Sequence, residues 1–246
     1  MVAQSAGAWL LALPVGENAM SNFEMTYALR ARIGLPLLGI GVVRPFCDCG
    51  HAENLHQDTN HFEICRRDTQ HSQCHNQIKH KVSGMARDAG VAVQEEAMVY
   101  GDDDHPHMAA DNFCPGNPAA NGQDTAMDVQ LTHPAAAYRR VGAAARGGYA
   151  CRQSSMLKGN KYLLPSYRAN IKFISFVLER YGRWSSGASH TLHMFAKHAD
   201  SLGRATIASF KAKWRVHISV ALQKAYVRAS RYNIRALAVH TIVSVS

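Results

Sequence analysis

Four residues in the first third of the chain have the side chains and the spacing of a zinc site. Cys47 and Cys49 are separated by one residue and followed by Gly50, and His61 and Cys65 stand four residues apart. Structural Zn²⁺ takes four thiolate or imidazole ligands in a tetrahedron, and residues four apart face the same way on a helical turn. The spacing predicts a Cys-Cys-His-Cys zinc site, for which His51 and His56 in the connecting loop are substitute ligands. The alternative to a metal site is a set of buried free thiols.

Two aspartates farther along the chain could hold a different metal. Asp128 lies within the apolar strand pattern of residues 126–131, where an unpaired charge is costly to bury, and Asp111 lies at the start of the preceding predicted strand. Mg²⁺ binds through few carboxylates together with water and phosphate oxygens. We predict that Asp111 and Asp128 hold magnesium, which can activate water for attack on a phosphodiester. The alternative for Asp128 is an edge-strand position that faces water.

Glu96 and Lys158 are candidates to complete this second site. Glu96 follows a strand pattern and could add a third carboxylate, unless it and Glu95 form a surface pair. Lys158 comes after the second aspartate, and an ammonium group beside the scissile phosphate would stabilise the negative charge that develops there. We therefore expect Lys158 to act at the phosphate, with an ordinary surface lysine as the alternative.

The charge of the chain is divided unevenly between its two parts. Residues 1–138 contain 8 Lys/Arg and 16 Asp/Glu, whereas residues 139–246 contain 19 Lys/Arg and 2 Asp/Glu. So basic a part attracts polyanions, and it has almost no acidic residues for i,i+4 ion pairs; a solvated cationic surface is the alternative. The residues that we expect to contact nucleic acid are Lys161, Arg139, Arg140, Lys211, Lys213 and Arg215.

Length and composition place the chain among globular proteins. It has 246 residues, of which 47% are hydrophobic, and its six cysteines are too scattered for a secreted disulfide framework. No basic region precedes the short apolar run near the N-terminus, so we predict no signal peptide and an intracellular protein. No stretch approaches the roughly 20 apolar residues of a membrane-spanning helix.

Hydrophobic periodicity predicts the elements that must position these residues. Helices are predicted at 20–34, 73–89, 188–200 and 203–231, and strands at 91–95, 108–114, 125–132 and 171–181. The predicted apolar faces are Phe23, Tyr27 and Leu29 in the first helix, Ile78, Val82 and Met85 in the second, and Ile207, Phe210, Trp214, Ile218, Leu222 and Tyr226 in the last. Residues 135–161 are predicted to be helical in parts, with an interruption at Gly147 and Gly148. This order predicts an α/β (α+β) fold, a small mixed sheet flanked by helices.

Taken in order, the motifs resemble the C-terminal region of reverse transcriptases from site-specific non-LTR retrotransposons and related eukaryotic elements. In that region a Cys-Cys-His-Cys zinc knuckle precedes a restriction-like endonuclease of the PD-(D/E)xK class. The segments that carry the resemblance are 8–14, 23–36, 47–65, 75–76, Asp111, 128–130 and 158–162.

The resemblance implies a restriction-endonuclease-like fold with two parts. An N-terminal helical segment with the zinc knuckle would span 1–70, and the endonuclease domain with its basic C-terminal helices would span 71–246. It further implies that Asp111 and Asp128 bind the catalytic magnesium, that Lys158 is a displaced catalytic lysine and that Glu96 precedes the first aspartate. The activity implied is a metal-dependent cut in target DNA, with RNA as a further partner and a nuclear location.

Some positions depart from the family pattern. Ala110 stands where Pro usually precedes the aspartate, Ala97 where Pro usually follows the glutamate, and Cys74 where Arg is usual. Tyr100-Gly101-Asp102-Asp103 matches the Tyr-x-Asp-Asp pattern, but we interpret residues 100–107 as a polar turn and predict no reverse transcriptase palm. We therefore predict the endonuclease module of a retroelement. The alternatives are a non-catalytic nucleic-acid-binding remnant and a zinc-stabilised interaction domain.

Overall fold

A four-stranded mixed sheet in the order β1-β2-β3-β4 organises the fold. The structure is a computed structural model that describes residues 7–35, 61–64, 70–100 and 108–243. Its strands are β1 (Gln94–Ala97), β2 (Ala110–Cys114), β3 (Thr125–Thr132) and β4 (Lys172–Glu179). The first three strands are antiparallel neighbours, whereas β4 runs parallel to β3.

Helices pack against both faces of this sheet. They are α1 (Asn22–Arg32), α2 (His61–Ile64), α3 (Gln70–Asp88), α4 (Ala137–Ala145), α5 (Tyr149–Arg168), α6 (Ser186–Ser201) and α7 (Ile207–Val243). The predicted mixed α/β arrangement, a small sheet with flanking helices, is confirmed. Within the described ranges, no helix has the length and apolar character needed to cross a membrane.

Alternate residues of the strands belong to two different apolar clusters. Met127 and Phe176 pack into the larger core together with α3, α6 and α7, whereas Ala126 and Phe173 pack with Tyr162 of α5. Successive side chains of a strand point to opposite faces of a sheet. Residue 128 therefore faces α5, on the same side as Ala126.

The predicted apolar face of the long C-terminal helix is confirmed. The side chains of Phe210, Trp214, Ile218, Leu222 and Tyr226 are all buried in the larger core, and Ile207 packs against it. The helix continues to Val243, beyond the predicted end at residue 231.

Two other elements differ from their prediction in extent or in face. The first strand begins at Gln94 rather than at residue 91, because the Val91 N–H donates to Ala86 O (2.9 Å) and so closes α3 after Gly90. In α1 the buried residues are Tyr27 and Ala28, and the expected Leu29 is 40% exposed.

A buried ionic cluster attaches α2 to the end of β4. Arg180 is fully buried and donates two hydrogen bonds to Glu63, Nε to Oε2 (2.6 Å) and one terminal nitrogen to Oε1 (2.5 Å). His133 Nε2 lies 3.0 Å from Glu63 Oε2, and Gln223 Oε1 accepts from the guanidinium (2.5 Å). Burial opposes ionisation of Glu63, but the charge of Arg180 and the hydrogen bonds from His133 and Arg180 together outweigh it and lower the pKa of Glu63 to about 2.

Candidate active site

Three acidic side chains stand in one row across the sheet. The register of β1 against β2 places Glu96 opposite Asp111. The register of β2 against β3, continued by one residue from the Asn112–Met127 pair, places Asp111 opposite Asp128. Residues that face each other in neighbouring antiparallel strands have Cβ atoms about 4.5–5.5 Å apart. The strand register thus aligns the three residues whose carboxylates were predicted to form the site.

Asp128 is buried, with 5% of its surface exposed, and α5 supplies its polar contacts. Lys158 Nζ lies 2.7 Å from Oδ2 and 3.0 Å from Oδ1, and the Tyr162 hydroxyl donates to Oδ1 (2.9 Å). A buried carboxylate is costly unless it is paired and hydrogen-bonded. The ammonium and the hydroxyl offset this cost, since both stand on one face of α5.

Asp111 is held between the sheet and α3. Its Oδ2 accepts a hydrogen bond from the Val129 N–H (2.7 Å), and its Oδ1 lies 3.1 Å from His75 Nε2. Because Val129 directly follows Asp128, this bond fixes the first carboxylate beside the residue that carries the second. The side chain of Asp111 is 19% exposed, so this edge of the site is open to solvent.

Glu96 lies at the rim of the site and is ion-paired to Lys79 of α3. The Glu96 side chain is 68% exposed, whereas the Lys79 side chain is 4% exposed. The backbone of Glu96 has a φ of +53°, in the left-handed region that non-glycine residues rarely adopt. The third predicted carboxylate therefore lies on the neighbouring strand, but it pairs with Lys79 of α3.

An aromatic cluster packs around Tyr162, the residue that donates to Asp128. The Tyr162 ring stacks on Phe173 with centroids 4.5 Å apart and lies 5.4 Å from the Tyr100 ring. Burial raises the pKa of Tyr162 well above its usual value, and the negative charges of Asp128 and Asp111 raise it further. The Tyr162 hydroxyl therefore keeps its proton and remains a donor to Asp128.

The structure describes both aspartates of the predicted magnesium site, but only one of the four predicted zinc ligands. In the ranges 7–35, 61–64, 70–100 and 108–243, no group of three or more His, Cys, Asp and Glu residues is arranged to hold a metal ion. Of the predicted zinc ligands, Cys47, Cys49 and Cys65 lie outside the described residues, and His61 is the buried first residue of α2. For magnesium the structure offers the carboxylate pair described above.

The basic residues predicted to contact nucleic acid differ in their accessibility. Lys161, Arg140 and Lys213 are exposed, and Lys211 and Arg215 are half-buried. Arg139 has to be removed from the predicted surface, because it is only 5% exposed. Its guanidinium donates to Gln153 Oε1 (3.2 Å) and Ser154 Oγ (2.9 Å), so it joins α4 to α5.

Three residues that contact the carboxylates were not predicted to belong to the site: Tyr162, His75 and Lys79. A local signal was present for each of them. Tyr162 follows Lys158 by four positions, and Lys79 follows His75 by four positions. Side chains four apart are neighbours on a helix surface. Lys158 and Tyr162 both contact Asp128 of β3, whereas His75 contacts Asp111 of β2 and Lys79 contacts Glu96 of β1.

Comparison with known proteins assigns no family: no protein-family model matches the chain, and no curated protein matches it.

Proposed function

We propose that the chain is the metal-dependent endonuclease module of a retroelement, which nicks target DNA by hydrolysing a phosphodiester at Asp111, Asp128 and Lys158. The observation that carries this proposal is the 2.7 Å contact between Lys158 Nζ and the Asp128 carboxylate. It joins the residue predicted to act at the phosphate to a residue predicted to bind the metal. The hydrogen bond from Val129 N–H to Asp111 brings the second predicted metal ligand to the same place.

The carboxylate pair fits magnesium. Mg²⁺ is usually held by one or two protein carboxylates, with water and phosphate oxygens as its other ligands. Each oxygen of an ionised carboxylate has two lone pairs, so Asp111 and Asp128 retain acceptor capacity beside the contacts they make here. When bound, the ion would supply an activated water and positive charge at the phosphate.

The protein groups would have separate roles around that ion. Asp111 and Asp128 would hold it, and Glu96 at the rim could complete the shell from its exposed position. The Lys158 side chain is 26% exposed, so its ammonium can contact Asp128 and a phosphate oxygen at the solvent boundary. There it would stabilise the charge that builds up during cleavage.

The restriction-endonuclease-like assignment of the fold belongs to this proposal. It is supported by the order α3, β1, β2, β3, the helices α4 and α5, then β4, with the aspartates on the second and third strands. The zinc knuckle of Cys47, Cys49, His61 and Cys65 and the basic C-terminal helices would position the nucleic acid. DNA as the partner and a nuclear location follow from the same proposal.

The test is nicking of supercoiled plasmid DNA by the full chain with Mg²⁺ or Mn²⁺. The wild type should produce open circles, and Asp128→Asn and Asp111→Asn should not. Asp200→Asn is the matched control, since Asp200 is an exposed residue of α6. Urea unfolding of each variant checks that the fold is retained. A wild type that is inert at micromolar protein with both metals refutes the catalytic proposal.

A second candidate function, a non-catalytic nucleic-acid-binding remnant, has its own support. Each carboxylate already has a basic partner within the protein: Lys158 for Asp128, His75 for Asp111 and Lys79 for Glu96. Such an arrangement is stable without a metal. This candidate predicts DNA binding that weakens linearly with log salt concentration, with no cleavage in the plasmid assay.

A further inference from the structure

A basic cleft lies between α6 and the turn that precedes β3. Its volume is about 520 Å³, and it is lined on one side by the 3-10 helix Pro118–Ala120. None of its lining residues is acidic, and its ionisable lining residues are Lys172, His190, His193, Lys197 and His198.

The basic side chains are positioned by regular structure on one wall and by a braced turn on the other. His190, His193 and Lys197 recur at spacings of three and four, and so form one stripe of α6. The turn is braced by Asp124, whose Oδ1 accepts from the Gly116 N–H (2.6 Å). Asn117 caps the 3-10 helix by accepting from the Ala119 N–H (3.0 Å). The cleft is therefore built into the framework of the sheet.

This cleft lies on the other face of the sheet from the candidate active site. In β4, Phe173 stacks on Tyr162 of α5, whereas Ile174 packs into the core with α6. Lys172, two residues before Ile174, belongs to the α6 side. The cleft is thus separate from Asp128, and an inference about it stands without the proposed nuclease activity.

The cations of the cleft are not neutralised by the protein around them. Within the part of the chain that the structure describes, none of the five basic side chains forms an ion pair with an acidic residue. The nearby acids are Asp124, which is engaged with Gly116, and Asp200, which is exposed on α6. From α7, Lys211 adds another positive charge near His193.

This excess positive charge acts on the imidazole of His193. Its Nδ1 is out of contact with solvent and has no hydrogen-bond partner among the described residues. Burial lowers the pKa of His193, and the positive charges of Lys211, Lys197 and His190 lower it further. Burial and these charges therefore oppose protonation of the ring, whereas a bound anion would favour its protonated form.

We propose that the cleft binds a phosphate group, either of a nucleic acid backbone or of a free phosphate, through Lys172, Lys197 and His193. The two ammonium groups supply the charge, and the imidazole adds a donor once it is protonated. Binding is then linked to protonation, so that affinity increases as the pH falls toward the usual histidine range of about 6.5.

The test follows the histidine ring signals of the full chain by NMR during titration with sulfate, whose charge is constant between pH 6 and pH 8. The ring signals of His190 and His193 should shift, with an affinity at pH 6 at least about threefold higher than at pH 8. Lys197→Gln should weaken binding by at least about fivefold. Arg146→Gln, which removes one positive charge from an exposed position at the end of α4, should leave it unchanged.

A second arm uses a (dT)12 oligonucleotide as the probe. If the oligonucleotide shifts the ring signals of His190 and His193 and Lys197→Gln abolishes these signal shifts, the ligand is the nucleic acid backbone. If only sulfate does so, the cleft takes a free phosphate. The proposal is overturned if neither probe shifts the His190 and His193 signals at pH 6, or if Lys197→Gln and Arg146→Gln have the same effect. His193→Gln provides an independent variant, and it should weaken the pH dependence, because His190 and His198 remain in the cleft.

Discussion

Lys158 Nζ lies 2.7 Å from Asp128 Oδ2, although the two residues are 30 positions apart in the chain. Asp128 belongs to β3 and Lys158 to α5, which lies in the crossover from β3 to the parallel strand β4. Parallel neighbours require such a connection across one face of the sheet. The ion pair is therefore a consequence of the topology, because the connection from β3 to β4 packs α5 against β3.

Lys158→Met should abolish nicking in the plasmid assay if this ammonium acts at the phosphate. The effect should be at least about 100-fold, which is typical for loss of a group that stabilises transition-state charge. Lys161→Met is the matched control. Lys161 stands one turn farther along α5 and lies 5.1 Å over the Tyr162 ring, and its side chain is exposed.

Both lysine variants should weaken DNA binding to a similar extent, because each removes one positive charge. The slope of log affinity against log salt should decrease by about 0.9 for each phosphate contact that is lost. Equal loss of cutting in Lys158→Met and Lys161→Met would show that Lys158 contributes only charge, and would contradict its proposed place at the reacting phosphate.

Tyr162→Phe should destabilise the fold by about 2 kcal/mol, because a hydrogen bond to a charged group is lost while Asp128 stays buried. The measurement is the urea unfolding midpoint at pH 7. Tyr167→Phe, on the same helix, is the control, and it should change stability by less than about 0.5 kcal/mol because Tyr167 is 83% exposed. Equal stability of the two variants would argue against the buried Tyr162–Asp128 bond.

Much of the fold could be predicted from local patterns. The strand at 125–132 is found with those bounds, and Ile78, Val82 and Met85 form the buried face predicted for α3. These elements have one strong periodicity and clear ends. For the strand predicted at 91–95 only the start was wrong, because whether Val91 closes the helix or opens the strand is decided by the left-handed backbone at Gly90, whose φ is +83°.

The candidate site was predictable in its residues but not in its pairing. Asp128 is conspicuous as an acid in an apolar strand, whereas its contact with Tyr162 depends on how α5 crosses the sheet. Arg139 shows the converse. Its charge suggested a surface contact, but its burial between α4 and α5 depends on tertiary packing that composition does not reveal.

The Glu63–Arg180 pair should make stability depend on pH in the acid range. The pKa of Glu63 is about 2 in the fold, below its ordinary value of 4.5. A lowered pKa contributes stability that is fully present above about pH 4.5 and is lost as the pH falls toward 2. The linked free energy is on the order of 3 kcal/mol. Urea unfolding midpoints between pH 7 and pH 3 should show this decline.

Glu63→Gln separates this effect from other acid-sensitive groups. The variant should be less stable than the wild type by about 3 kcal/mol at pH 7, since Arg180 is left as an unpaired buried charge. The difference between the two proteins should shrink as the pH falls. Glu17→Gln removes the exposed partner of Lys81 and should cost less than about 1 kcal/mol. A difference that is constant with pH would contradict the coupling.

Gly187→Ala tests how closely α6 approaches the sheet. A Cβ on Gly187 would lie 2.3 Å from the carbonyl oxygen of Ser175 in β4, and a backbone oxygen cannot move aside easily. We expect a loss of about 1–3 kcal/mol in unfolding free energy, the usual range for overpacking. Gly159→Ala is the matched control. Gly159 lies within α5, and a Cβ added there would meet no neighbouring side chain or strand within 4 Å, so alanine should stabilise the protein by about 0.5–1 kcal/mol. Opposite signs for the two substitutions in urea unfolding support the close packing of α6 on β4, and equal gains would contradict it.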